Sequence, residues 1–252
     1  VFIVAGKWYR ELTEWFGKVK QLGLAAEHGF LYCINNQDAK WKRTIEKCDT
    51  EWRRNCANII IPYTQRCEGS FLEIKESSVV WQYSECDQEL GKEFASVITS
   101  ELEIELKNEN VKVNNGKGYV EVSTLGINKG GFVSFILKEM VRNTNKIADF
   151  IVCVGDDKND EKMFKYLKNK ESEIMKYSRK LKWYSITVGK KPSEAKYFAN
   201  NTKEVEELVD SFVKSSRKFG ASISTLDIKS IALNSKFSMG EDEGMDSEEK
   251  DD

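Results

Sequence analysis

Ile151-Val-Cys-Val-Gly155-Asp156-Asp157-Lys158-Asn159-Asp160-Glu161 is a short apolar run that stops at a glycine and a cluster of carboxylates. With Phe150 in front, it has the continuous hydrophobicity of a strand buried on both faces of a parallel α/β sheet, and such sheets gather ligands at the carboxyl ends of their strands. Asp156, Asp157 and Asp160 therefore stand where chemistry is expected. Hard oxygen donors in this pattern suit Mg²⁺, which binds through one or two carboxylates, keeps several waters and takes a substrate phosphate. The plainer reading is a solvated cap at a helix start, where Asp and Asn are favoured in any case.

Outward from this run, the same rhythm recurs. Residues 1–5 read as a strand, 8–20 as a helix with Leu12, Trp15, Phe16 and Val19 at helical spacing, and 22–26 as a second strand, completing a β-α-β unit. After Lys129-Gly130 come a helix over 132–142, the strand over 150–154, a helix over 161–167, a strand over 183–188 and a helix over 203–213. Between these blocks the pattern changes: a long amphipathic stretch over 41–66, alternating segments over 71–75 and 79–84, a helix over 88–106, and a hairpin signalled by Asn114-Asn115-Gly116 with its return strand over 118–122. The fold class is therefore α/β: a Rossmann-like parallel-sheet core over 1–30 and 124–213, split by an α/β cap over 31–123. A disordered acidic tail is expected over 214–252, where periodicity gives way to like charge. The first strand, buried on both faces, needs a neighbour. The chain opens inside an apolar run without Met, so upstream sequence is expected to supply that strand.

Composition narrows the function classes. The 252 residues are 40% apolar and 32% charged with a net charge of −2, which gives no electrostatic reason for nucleic acid or an anionic membrane as the main partner. No apolar stretch is long enough to span a bilayer. Six scattered cysteines, without a Cys-x-x-Cys pair and with one histidine in the chain, support neither zinc nor a disulfide framework. They read as reduced packing residues of a cytoplasmic protein.

Several segments share an order and spacing: Glu27-His28-Gly29-Phe30, Phe71-Leu-Glu-Ile-Lys75, Val120-Glu-Val-Ser-Thr-Leu-Gly-Ile-Asn-Lys129-Gly, Gly155-Asp-Asp-Lys-Asn-Asp-Glu161 and Thr187-Val-Gly-Lys-Lys-Pro-Ser193. Together they resemble the trehalose 6-phosphate phosphatase domains of the haloacid dehalogenase superfamily, in the form fused behind a trehalose phosphate synthase domain. The resemblance covers nearly all of 1–213. It implies Mg²⁺-dependent removal of phosphate from trehalose 6-phosphate or a related sugar phosphate, through a covalent aspartyl-phosphate, with a second Asp as acid and base. It further implies that Asp156 ligates the metal, that Asp157 supports the coordination or its water shell, and that Asp160 holds Lys129. The Lys129 ammonium would neutralise charge on the nucleophile and the transferring phosphoryl. Lys7 would contact phosphate, and Glu73, Lys75 and Glu121 would read the sugar hydroxyls from the cap. His28 falls in a turn, where a packing or capping role is expected.

Departures from the family pattern bear on activity. The Asp-x-Asp motif that supplies the nucleophile is absent from the 252 residues and belongs on a strand upstream. Ala5 replaces a Ser or Thr whose hydroxyl holds a phosphate oxygen, and losing one such donor costs about 2.7–4 kcal/mol in the transition state. Lys7 replaces an Arg and lacks its bidentate fork. In the cap, Gln82-Tyr83-Ser84 stands where active members commonly show His-Tyr-Arg, and Ser123-Thr124 replaces a basic residue followed by Pro. This segment alone is expected to be inactive. The alternative to a phosphatase is a degenerate domain, a pseudoenzyme that binds sugar phosphate or stabilises a fused synthase.

Overall fold

The structure is a computed structural model that describes residues 1–34, 40–45, 50–145, 148–174, 180–219 and 238–239. The chain forms two compact units, Val1–Phe132 and Val133–Asp252.

In the first unit, β1 (Phe2–Val4) and β2 (Gly23–Ala26) pair in parallel, Phe2 opposite Gly23 and Val4 opposite Ala25, with α1 (Tyr9–Phe16) as the crossover. Leu12 on α1 packs with Leu24, Ala26, Phe30 and Leu31. A 3₁₀ turn (Glu27–Gly29) then reverses the chain into β3 (Leu31–Cys33), antiparallel to β2, and β4 (Lys42–Arg43) completes the sheet. The turn places three successive residues at positive φ: Glu27 at 50°, His28 at 58° and Gly29 at 100°. For the two non-glycine residues that region costs roughly 1–2 kcal/mol each. Two backbone bonds hold it, Glu27 N–H to the Lys7 carbonyl at 3.1 Å and His28 N–H to the Ala5 carbonyl at 2.9 Å.

The same unit contains a second, antiparallel sheet, ordered β5 (Phe71–Ile74), β6 (Ser78–Gln82), β8 (Tyr119–Thr124), β7 (Val111–Gly116). Val79, Trp81, Val120 and Val122 alternate toward α2 (Glu51–Thr64) and α3 (Gln88–Glu105), forming a core with Trp52, Ile60, Ile98 and Leu102. Each such buried aliphatic or aromatic side chain contributes roughly 1.5–3 kcal/mol. Asp87 caps α3, its carboxylate accepting from Glu89 N–H at 3.1 Å and Leu90 N–H at 2.9 Å.

In the second unit, β9 (Phe150–Gly155), β10 (Lys182–Val188) and β11 (Tyr197–Ala199) run parallel, with a two-residue β12 (Ser238–Met239) antiparallel to β11. Ile151, Cys153 and Trp183 face α5 (Glu161–Ile174) and the part of α4 (Lys129–Thr144) that lies in this unit, through Val133, Leu137, Met163, Phe164 and Leu167. Val152, Val154 and Ile186 face α6 (Thr202–Phe219) on the opposite side, through Val205, Leu208 and Phe212. The β9 strand is therefore apolar on both faces because helices cover both faces, which is why its sequence does not alternate.

Four local expectations change. The hairpin turns at Lys117-Gly118, two residues after the Asn-Gly pair: Gly116 still pairs with Tyr119, and Gly118 takes the positive φ of 83° that the turn requires. The amphipathic stretch over 41–66 is not one helix, since β4 occupies its start and α2 begins at Glu51. The sheet started by β1 continues past residue 30 through β3 and β4. Helix α6 runs on to Phe219, and the remainder of the expected tail, apart from β12, lies outside the described residues.

Among the described residues no helix is long and apolar enough to cross a membrane. Five cysteines, Cys33, Cys56, Cys67, Cys86 and Cys153, are free thiols; Cys48 lies outside the described residues. Burial pushes the Cys56 thiol up to about 12, and burial together with the nearby Asp160 charge does the same to Cys153. Native protein at pH 7.5 is therefore expected to alkylate at these two positions at least tenfold more slowly than the urea-unfolded chain, read by mass spectrometry. Because both are raised above the ordinary value of 9.0, the stability they contribute is complete below pH 9 and is lost as pH climbs toward 12.

Candidate active site

Asp160 organises the loop after β9. Its carboxylate, 4% exposed, folds back so that Oδ2 accepts from the backbone N–H of Asp156 at 2.9 Å and of Asp157 at 3.1 Å. Gly155 permits this: a Cβ there would lie 2.1 Å from the Asp160 carboxyl carbon. Asp157 in turn accepts through Oδ1 from Asn159 N–H at 2.7 Å and Asp160 N–H at 2.9 Å, closing the turn into α5. With two carboxylates committed to backbone donors, Asp156 is left exposed at the carboxyl end of a parallel strand.

Three further groups were not legible in the sequence. The Lys191 ammonium donates to the Asp156 carbonyl, bringing a cation to the loop. Glu161 accepts from Ser193 Oγ and Glu194 N–H, both at 2.7 Å, and so ties the 190–194 segment to the first turn of α5. Asn128 caps α4, accepting from Gly131 N–H at 3.0 Å. Lys129, the first residue of that helix, is 8% exposed. A buried ammonium at the positive end of a helix dipole is unfavourable unless an anion compensates it, which sets Lys129 apart from an ordinary surface lysine.

The sheet register places Glu73 and Glu121 on one face, and an ion pair adds Lys75. Glu73 on β5 lies opposite Val80 on β6, which lies opposite Glu121 on β8, which lies opposite Asn114 on β7. Glu73 and Glu121 thus share the face away from α2 and α3, two strand spacings or about 9.6 Å apart. The Lys75 ammonium sits 3.7 Å from Glu73 Oε2, and Gln82 Nε2 donates to the same oxygen at 3.5 Å. Phe71, Gln82 and Tyr119 form the next row of that face, with both rings substantially exposed. Two carboxylates, an ammonium, two amides and aromatic rings on one strip are groups that hydrogen-bond and stack on a polyhydroxylated ligand.

Lys7 lies between β1 and α1. Its ammonium pairs with Glu11 at 3.5 Å and lies over the Trp15 ring at 5.9 Å, half exposed along α1. The His28 ring packs against Gly6, whose Cβ would lie 2.7 Å away. Ala5 follows β1, donating its N–H to the Ala25 carbonyl at 2.9 Å. Among the described residues no three carboxylate, imidazole or thiolate groups converge. What the loop offers is the exposed Asp156 carboxylate, with the exposed Asp157 beside it committed through Oδ1 to backbone donors, a donor set that fits Mg²⁺ bound jointly by protein, water and phosphate.

The sequence model of trehalose-phosphatases matches residues 1–203. The chain belongs to the trehalose-phosphatase family. A relative from Arabidopsis thaliana, probable alpha,alpha-trehalose-phosphate synthase [UDP-forming] 7, is 35% identical over 227 residues, covering 90% of this chain and 26% of its own length. A trehalose-phosphatase from Zygosaccharomyces rouxii is 33% identical over 186 residues, covering 68% of this chain and 21% of its own. The chain spans about a quarter of the length of the relatives it matches. Among solved structures, trehalose-6-phosphate phosphatase of Aspergillus fumigatus superposes with a TM-score of 0.61 at 30% identity, over 86% of this chain and 78% of that one. The fold is accordingly the haloacid dehalogenase-like α/β fold of trehalose-phosphatases.

Proposed function

We propose that this chain forms a cytoplasmic phosphatase domain acting on trehalose 6-phosphate within a longer protein that also carries a trehalose phosphate synthase domain. In this reading residues 1–30, with β3 and β4 that continue their sheet, and 124–213 make the catalytic core, and the rest of 31–123 the sugar-reading cap. The observation that carries it is the loop over 155–160, where Asp160 holds the backbone amides of Asp156 and Asp157 and the Asp156 carboxylate stays exposed at the end of β9. Asp156 would hold Mg²⁺, which when bound neutralises phosphoryl charge. Asp157 keeps the loop closed by its backbone bonds, and Lys129 would supply a desolvated ammonium to neutralise charge on the transferring phosphoryl.

The attacking carboxylate would come from a further parallel strand. β9 ends its sheet, paired only with β10 among the described residues, although it is apolar on both faces as an interior strand is. A strand added at that edge would deliver an Asp at its carboxyl end, level with Asp156. Glu73, Lys75 and Glu121 would take the sugar hydroxyls. Charge-assisted hydrogen bonds of this kind are worth about 1.5–3 kcal/mol. Glu121→Ala in the full-length protein is therefore expected to weaken trehalose 6-phosphate binding at least tenfold in titration calorimetry, and unchanged affinity would remove the cap face from the site.

A second reading has its own observation. Ala5 presents a methyl where a donor is needed, and the Lys7 ammonium is turned to Glu11. These features suit a domain that binds sugar phosphate and regulates or stabilises the fused synthase without turnover. It predicts stabilisation by trehalose 6-phosphate with no phosphate released.

A further inference from the structure

We infer that Glu27 is a positioning residue that sets the sugar-reading hairpin from the turn after β2, an assignment that rests on the cap reading above. The Glu27 carboxylate is 2% exposed, and what it accepts are three neutral hydrogen bonds. Among the described residues its side-chain partners lie at one place, the tip between β5 and β6. Oε2 accepts from Ser77 N–H and from Ser77 Oγ, both at 2.7 Å, and Oε1 accepts from Glu76 N–H at 3.2 Å. These three donors make burial of the carboxylate tolerable.

The tip is the continuation of the strand that bears Glu73 and Lys75. It is fixed on its other sides as well: the Ser77 carbonyl accepts from Thr124 N–H at 3.0 Å and Thr124 Oγ1 at 3.2 Å, the Lys75 carbonyl from Arg53 at 2.7 Å, and Glu76 pairs with Arg43 at 2.6 Å. The Glu27 backbone meanwhile donates to the Lys7 carbonyl, in the segment after β1. One residue thus bonds through its backbone to the 5–7 segment and through its side chain to the sugar-reading hairpin. Its left-handed φ of 50° is what turns the carboxylate out of the β2 direction while the amide stays on Lys7. An apolar side chain would fill the space without fixing the hairpin's direction, and a carboxylate accepting from two successive backbone amides fixes it.

Hydrogen exchange and ligand titration on the full-length protein test this. In Glu27→Ala the peptide over residues 74–80 is expected to exchange at least tenfold faster while peptides from α3 keep wild-type protection. Trehalose 6-phosphate affinity falls about tenfold, and affinity for inorganic phosphate with Mg²⁺ is unchanged. Glu27→Gln recovers part of both effects, because its one carbonyl oxygen still accepts from Ser77 while its amide NH₂ faces the Glu76 N–H. Unchanged exchange over 74–80, or equal loss of affinity for both ligands, overturns the assignment. Should Glu27→Ala lose protection throughout, Ser77→Ala decides: a smaller acceleration confined to the same peptide supports it, and none overturns it. If the wild-type protein does not bind trehalose 6-phosphate, the cap reading falls, and the exchange comparison still decides whether Glu27 fixes the hairpin.

Discussion

Asp160→Ala is expected to lower folding stability by about 3 kcal/mol, read as a fall in the urea midpoint at unchanged m-value. The side chain is nearly fully buried and its Oδ2 satisfies two successive backbone amides. Removing the carboxylate leaves both N–H groups without their acceptor and opens a space beside Gly155, which has no Cβ to fill it. Leaving a donor unsatisfied costs about 1–3 kcal/mol when buried, and the exposure of Asp156 and Asp157 keeps the sum toward the lower end. Asp160→Asn keeps one acceptor oxygen and is expected to lose roughly half as much. An unchanged midpoint in Asp160→Ala would mean that the loop is held by Asp157 alone, and the rigid frame assigned to Asp156 would go with it.

The carboxylate loop was legible because its signals are local. An apolar run buried on both faces, a glycine and three Asp within five positions report a strand end and a turn without reference to anything distant. Period two placed Glu73 and Lys75 on one face for the same reason. That Glu121 joins them depends on the β5, β6 and β8 register, which no single segment carries. Glu161 with Ser193, and Glu27 with Ser77, are side chain to loop bonds spanning 32 and 50 positions, and the sequence offers no periodicity for such contacts. The hairpin shift has a local cause instead: two glycines lie two positions apart, and the one at positive φ, Gly118, is not the one preceded by Asn. β3 was missed because three residues are too few to show alternation. The departures at Ala5, Lys7, Gln82 and Ser84 are visible as residues, but their effect depends on geometry: Gln82 reaches Glu73 on the sheet face away from α2 and α3, whereas Lys7 pairs with Glu11.

The second large effect concerns Asp156 and carries the functional account. It is exposed, and among the described residues no hydrogen bond ties its carboxylate to the loop backbone, so its removal should leave folding nearly intact, unlike removal of Asp160, while abolishing the charge neutralisation that phosphoryl transfer requires. Surface substitutions of this kind cost less than about 0.5 kcal/mol. A loss of one electrostatic contributor at the reacting phosphoryl is worth on the order of a hundredfold to a thousandfold in rate. Stability and turnover thus separate the two aspartates: Asp160→Ala changes both, Asp156→Ala changes turnover alone.

Phosphate release from trehalose 6-phosphate by the full-length protein with Mg²⁺, beside Asp156→Ala at matched folded concentration, tests the account most directly. The account predicts turnover in the wild type that falls by about a thousandfold in the variant. Wild-type release no greater than that of Asp156→Ala would contradict it, and would leave a sugar phosphate-binding domain in place of a phosphatase.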